Sequence, residues 1–249
     1  MSWKAFFLII LIVLLGIFIY LKIEIVGNPN SNFNRTTRFA LGKYPFARTI
    51  LGLHSVSDAR QEYLAATGPI AIEWFAPQEE TIDPNMLNQF ASLVGKYTGR
   101  PTQVLSGGNL DDGTIQVSDL DSYTLKIDAQ QPSGTKLLVF FPEDYNPRPD
   151  NELSSTYQES GMVLSLNAHR TFLQQYPQDL SQYLLASMLH EFGNQIGMDE
   201  TATGSPDCIM NLHAGFNGAP LEASGLSEPQ DFCASEQAEI QNLKLQFGQ

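Results

Sequence analysis

The chain has 249 residues, 43% hydrophobic and 16% charged, enough for one ordinary domain with a core beyond an N-terminal apolar run. Its formal net charge of -13 argues against nucleic acid and against an anionic membrane surface as partners. Acidity bounds the partners and leaves the mechanism open.

After Trp3 and Lys4, residues 5–21 carry no charge. That is about 17 apolar residues, at the short end for a bilayer span. Trp3 and Tyr20 are placed like interfacial aromatics, and Lys4 with the amino terminus favours a cytoplasmic N-terminus. Residues 1–26 are therefore expected to form an uncleaved signal anchor, a single N-terminal transmembrane helix in the cell membrane with the C-terminal domain extracytoplasmic. A cleaved signal peptide is the competing reading, but bulky residues follow the run where a small-x-small site is needed. Asn, Ser and Pro over residues 27–38 read as a linker. Residues 39–67 form an N-terminal extension, with a short helix over 57–66 and a surface histidine, His54.

The folded domain is expected over residues 68–249. It opens on a run of β-formers at 68–76, bounded by prolines. Asp83 as N-cap and Pro84 at the first helical position then start a helix. Its apolar positions Met86, Leu87, Phe90, Leu93, Val94 and Tyr97 follow at helical spacing, and Gly99 ends it. Extended pieces at 103–106 and 114–117 flank a turn at Gly107-Gly108. That glycine pair lacks the Lys-Ser/Thr of a phosphate loop. Residues 136–141 are the strongest central-strand candidate, 143–155 read as an exposed loop, and 161–167 read as an edge strand. Composition and periodicity give α/β or α+β and no more.

The last long helix starts at Asp179, with Gln182 in capping-box position, and buries Leu184, Leu185, Met188, Leu189 and Phe192. It carries His190-Glu191, with Asn194 one turn on, Gly197 after it and Glu200 three residues further. Residues at i and i+4 aim at one point, which is how a helix presents two ligands to a metal with a glutamate base beside them. A glycine such as Gly197 lets the chain turn sharply and return a third ligand.

This segment resembles the HExxHxxGxxH motif of the metzincin zinc peptidases. Asn194 stands where the second ligand histidine belongs and Glu200 where the third does. Asp199 replaces Glu200 if the turn shifts by one residue. The resemblance implies an α+β, sandwich-like domain: a twisted mixed sheet, one backing helix and the motif helix beneath. It also implies a zinc ion held by His190, Asn194 and Glu200, with Glu191 taking a proton from zinc-bound water. His213 and His169 are weighed as replacement ligands and read as structural or exposed residues.

Cys208-Ile-Met210 resembles the methionine turn below a metzincin metal, and the helix near the C-terminus resembles that of the archaemetzincin and matrixin-like group. Archaemetzincins hold a second zinc there on four cysteines. Only Cys208 and Cys233 are present, which fits one disulfide better, as an oxidising compartment already suggests. Two buried free thiols are the competing state. Three functional readings follow. One is a membrane-anchored, zinc-dependent metallopeptidase acting on peptide or protein. A second is an inactive pseudoprotease that binds extended segments, and a third is an anchored structural domain. No nucleic acid is expected.

Overall fold

In the computed structural model the β-forming run after Pro69 becomes β1 (Ile70–Pro77), and the capped helix follows as α1 (Pro84–Thr98). The structure describes residues 3, 15–21, 59–65, 67–120, 122–123, 135–148, 152–157, 160–175, 179–198, 205, 208–211 and 229–246. The chain divides into two units, Met1–Val56 and Ser57–Gln249. In the first unit, residues 15–21 are helical, with Leu15, Ile17, Ile19 and Tyr20 exposed. Among the described residues no helix is long and apolar enough to cross a membrane. Most of the apolar run, the linker at 27–38 and His54 lie outside the described residues.

The second unit is a mixed α/β fold around a mostly parallel sheet, which fits the α+β expectation. Its strands are β1, β2 (Thr102–Leu110), β4 (Thr135–Phe140), β6 (Ser154–Tyr157) and β7 (Gly161–Leu164), in the order β2-β1-β4-β7-β6. All neighbours run parallel except β6, which pairs antiparallel with β7 at one margin. A small parallel pair, β3 (Thr114–Gln116) and β5 (Asp144–Asn146), covers one face. Among the described residues, longer helices after α1 are α2 (Leu166–Gln175), α3 (Leu180–Gln195) and α4 (Ala234–Gln246).

Alternation along β1 divides the core into two. Ile70, Ile72 and Ala76 face the helices, where they meet Phe90, Val94, Leu189 and Phe192. Phe75 faces the other way, among Ile115, Phe140, Tyr145 and Val163 under the small sheet. Tyr63 and Leu64, from a short π-helical turn at Gln61–Ala65, join the helix-side core.

The caps of α1 are as its sequence dictates. The Asp83 side chain accepts from the Asn85 N–H at 2.9 Å, and Gly99 takes the left-handed conformation at φ 75°. Arg100 then turns inward and donates to the carbonyls of Gly68, Pro69 and Glu62 and to the Thr135 hydroxyl. One guanidinium thus fastens the π-helical turn and the starts of β1 and β4 together.

Three expectations are corrected. Gly107-Gly108 is a bulge inside β2 rather than a turn, for the register with β1 shifts between Trp74 and Phe75. A Cβ on Gly107 would sit 2.4 Å from the Phe75 ring, so the strand tolerates only glycine there. The stretch 143–155, read as a loop, contains β5 and the start of β6. The strand expected over 161–167 stops at Leu164, because Leu166 opens α2, and it is not an edge: β4 and β6 pair with it from both sides.

Candidate metal centre on helix α3

Helix α3 is buried along nearly its whole length, and its end is built by three residues in sequence. The Gly197 N–H donates to the Asn194 carbonyl at 3.1 Å and the Met198 N–H to the Gly193 carbonyl at 3.0 Å. Gly197 adopts φ 81°, so the pair of bonds forms a Schellman stop. A side chain at Gly197 would also strike Arg60, whose Cδ lies 2.5 Å from the position of a Cβ. The sharp turn expected from the sequence is present.

His190 is buried, and its Nδ1 lies 2.9 Å from the Ile209 carbonyl oxygen. A carbonyl can only accept, so Nδ1 carries a proton, and the neutral tautomer of this ring has its lone pair on Nε2. This is how a backbone carbonyl orients a metal-binding imidazole. The turn that offers the carbonyl is fastened at several points. Met210 packs its sulfur against Gly193, where a Cβ would come within 2.2 Å of Sδ. The buried Glu236 carboxylate accepts from the N–H groups of Ile209 at 3.1 Å, Met210 at 2.5 Å and Cys233 at 2.8 Å. The expected disulfide joins Cys208 to Cys233. Met210 therefore packs directly against the helix that carries His190 and Glu191.

The packing gives a direct prediction. Gly193→Ala gains helix propensity yet forces Met210 aside, and the overpacking should lower unfolding free energy by roughly 1–3 kcal/mol in urea titration.

Glu191 is buried too, and its Oε1 accepts a hydrogen bond from the Ser154 hydroxyl on β6 at 2.7 Å. Burial raises the Tyr145 phenol above its ordinary range, and the Glu191 carboxylate reinforces that shift. Asn194 is half-buried on the last turn of α3. Asp199, Glu200 and His213 lie outside the described residues. His169 is not near a free edge. It is fully buried on α2, with Nδ1 2.6 Å from the Ser165 carbonyl and Nε2 2.9 Å from the Ser187 hydroxyl. Both ring nitrogens are occupied, and its role is packing.

The donor set decides whether zinc fits. A catalytic zinc needs three protein ligands drawn from His, Cys, Asp and Glu. Among the described residues one trio of such donors lies close enough to share an ion: Cys208, Cys233 and Glu236. Its two sulfurs are bonded to each other and its carboxylate is engaged by three backbone N–H groups. No such trio includes His190, and the carboxamide of Asn194 is a poor zinc ligand. Among the described residues the site thus offers one good zinc donor, His190, beside a poor one, Asn194.

The sequence matches no model of a known protein family, and no curated protein matches it. Among solved structures the fold is similar to the archaemetzincin of Methanopyrus kandleri, with 15% identity over 72% of this chain and 96% of that one, at a TM-score of 0.47. It is similar also to a zinc-dependent peptidase from Methanocorpusculum labreanum, with 14% identity over 68% and 99% of the two chains, at a TM-score of 0.46. The archaemetzincin of Archaeoglobus fulgidus, complexed with malonate, shows 16% identity over 69% and 99%, at a TM-score of 0.40. At these identities and scores the likeness transfers no residue role to this chain.

Ser154, Gly193 and Glu236 were not singled out by the sequence reading. Gly193 carried a signal, since a glycine inside a helix costs about 1 kcal/mol unless packing requires it. Glu236 carried one as well: it stands three residues after Cys233, the spacing at which a glutamate reaches back to a helix's first N–H.

Proposed function

We propose that the chain is a metzincin-like metallopeptidase homologue that no longer holds a catalytic zinc. In this reading it is held to the cell membrane by its N-terminal helix and works outside the cytoplasm as a peptide- or protein-binding module. The observation that carries the reading is Asn194, which stands one turn after His190 on α3 at the second ligand position, where a carboxamide is a poor zinc ligand. Strand β6 supports the binding function. It is four uncharged residues long, pairs on one side with β7, and stands at the margin of the sheet, where an extended segment can add a strand. The exposed apolar side chains Leu15, Ile17, Ile19 and Tyr20 support the anchor.

One observation favours a second reading, an active peptidase. The Ile209 carbonyl leaves the His190 lone pair on Nε2, the state a metal requires, and Glu200 would supply a carboxylate. Metal content separates the two. The purified full chain in detergent, dialysed against micromolar zinc, is expected to retain well under one zinc per chain and to leave casein intact. Stoichiometric zinc, lost in Glu200→Ala, together with casein cleavage would establish the peptidase instead. Asn194→His is expected to raise zinc affinity by at least about 10- to 100-fold, the scale on which metal-site losses are felt. Equilibrium dialysis reads that change.

A further inference from the structure

We propose that Glu191 is a positioning residue whose carboxylate docks the edge hairpin onto α3. The inference rests on the reading of the chain as a binding module. Two side chains one turn apart on α3, Glu191 and Gln195, reach the same hairpin. The Glu191 carboxylate accepts from the Ser154 hydroxyl at 2.7 Å, and the Gln195 amide donates to the Gly161 carbonyl at 2.7 Å. Residues four apart share a helix face, so the two bonds act together.

Their targets are the two ends of one antiparallel pairing. Ser154 opens β6 opposite Leu164, and Gly161 opens β7 opposite Tyr157. Glu191 and Gln195 are both buried, where a hydrogen bond to a charged group is stronger than one at the surface. β6 needs such a tie. It has one strand neighbour and four residues, and Glu191 fixes its first residue to the helix. The geometry of the edge on which a peptide would pair is then set by the carboxylate.

Hydrogen exchange on the full chain tests this, with three variants. Glu191→Ala and Ser154→Ala each remove the bond, whereas Glu191→Gln keeps an acceptor oxygen and cannot serve as a base. The β6 amides are expected to exchange roughly 10-fold faster in both alanine variants, with the centres of β1 and β4 unaffected. Glu191→Gln keeps a weaker, neutral bond and is expected to lie closer to the parent than to Glu191→Ala, and the double alanine variant to exchange no faster than Glu191→Ala alone. The proposal is overturned if β6 exchange is unchanged in Ser154→Ala, or if Glu191→Gln is as fast as Glu191→Ala. If Glu191→Ala does not fold, Ser154→Ala and Glu191→Gln still decide it. These outcomes are independent of zinc and casein cleavage, so the binding-module reading can fail while the docking stands, and the reverse.

Discussion

Glu236→Ala is expected to lower the unfolding free energy by about 3 kcal/mol, the largest loss for any single change at this site. The carboxylate takes three backbone N–H groups, Met210 on Oε1 and Ile209 and Cys233 on Oε2. Alanine leaves those of Ile209 and Met210 buried without an acceptor, at roughly 1–3 kcal/mol each, offset in part by the relief of a buried charge. Glu236→Gln should be nearly as costly, because its amide NH2 must replace one acceptor and would face a donor. The effect should reach the site as well. The Ile209 carbonyl orients His190, so freeing the turn should broaden or shift the His190 ring signals in an NMR spectrum while those of His169 hold. Denaturant titration gives the stability. A loss under about 1 kcal/mol, within the range of one ordinary hydrogen bond, would mean that the disulfide alone holds the turn. Reduction of Cys208–Cys233 should destabilise the parent by about 3 kcal/mol, the scale for a loop of this separation. Disulfide and carboxylate share a turn, so the two losses should not add.

What was legible in the sequence is what neighbouring residues decide. Asp83, Pro84 and Gly99 bound α1 because capping is a local bond within a few residues. Asp179 starts α3 in the same way, accepting from the Ser181 N–H at 2.8 Å. Gly197 marked its end, since a Schellman stop needs a left-handed residue there. The central strand β4 announced itself as an unbroken apolar run buried on both faces. β6 did not, because Ser154, Ser155 and Thr156 have no apolar alternation. It is a strand through pairing with β7, a decision made outside its own residues. Gly107-Gly108 misled for a related reason: paired glycines mark turns locally, and the Phe75 ring that demands Gly107 lies on another strand.

The same division runs through the candidate site. His190, Glu191 and Asn194 could be placed from spacing along one helix, and Met210 was singled out only by the resemblance to a methionine turn. Their partners could not be placed that way. The Ser154 hydroxyl comes from 37 residues before Glu191, and Glu236 from 27 residues after Ile209. These contacts change the chemistry of the motif residues. Glu191, which spacing presents as a base, is bonded to the edge strand, and Glu236, unremarked on a polar helix, fixes the turn that orients the histidine.

Stability is expected to fall by about 3 kcal/mol between pH 6.5 and 4 through His169 alone. Burial pushes its pKa down from 6.5 to about 4, the Ser165 carbonyl pulls weakly the other way, and the Arg148 charge adds to the depression. The bonding agrees with a neutral ring. In the neutral ring Nδ1–H donates to the Ser165 carbonyl and Nε2 accepts from the Ser187 hydroxyl. Because the folded pKa is depressed, the unfolded chain binds the proton first. The stabilisation is therefore complete above pH 6.5, declines as pH falls towards 4, and is exhausted below it. One proton taken up on unfolding gives a slope near 1.4 kcal/mol per pH unit in the middle of that window. Urea titrations at intervals from pH 7 to 4.5 measure it where most carboxylates are still ionised. His169→Phe removes the titration and should flatten the slope while lowering the plateau, since Ser187 loses its acceptor. An unchanged slope in that variant would assign the acid sensitivity to another group.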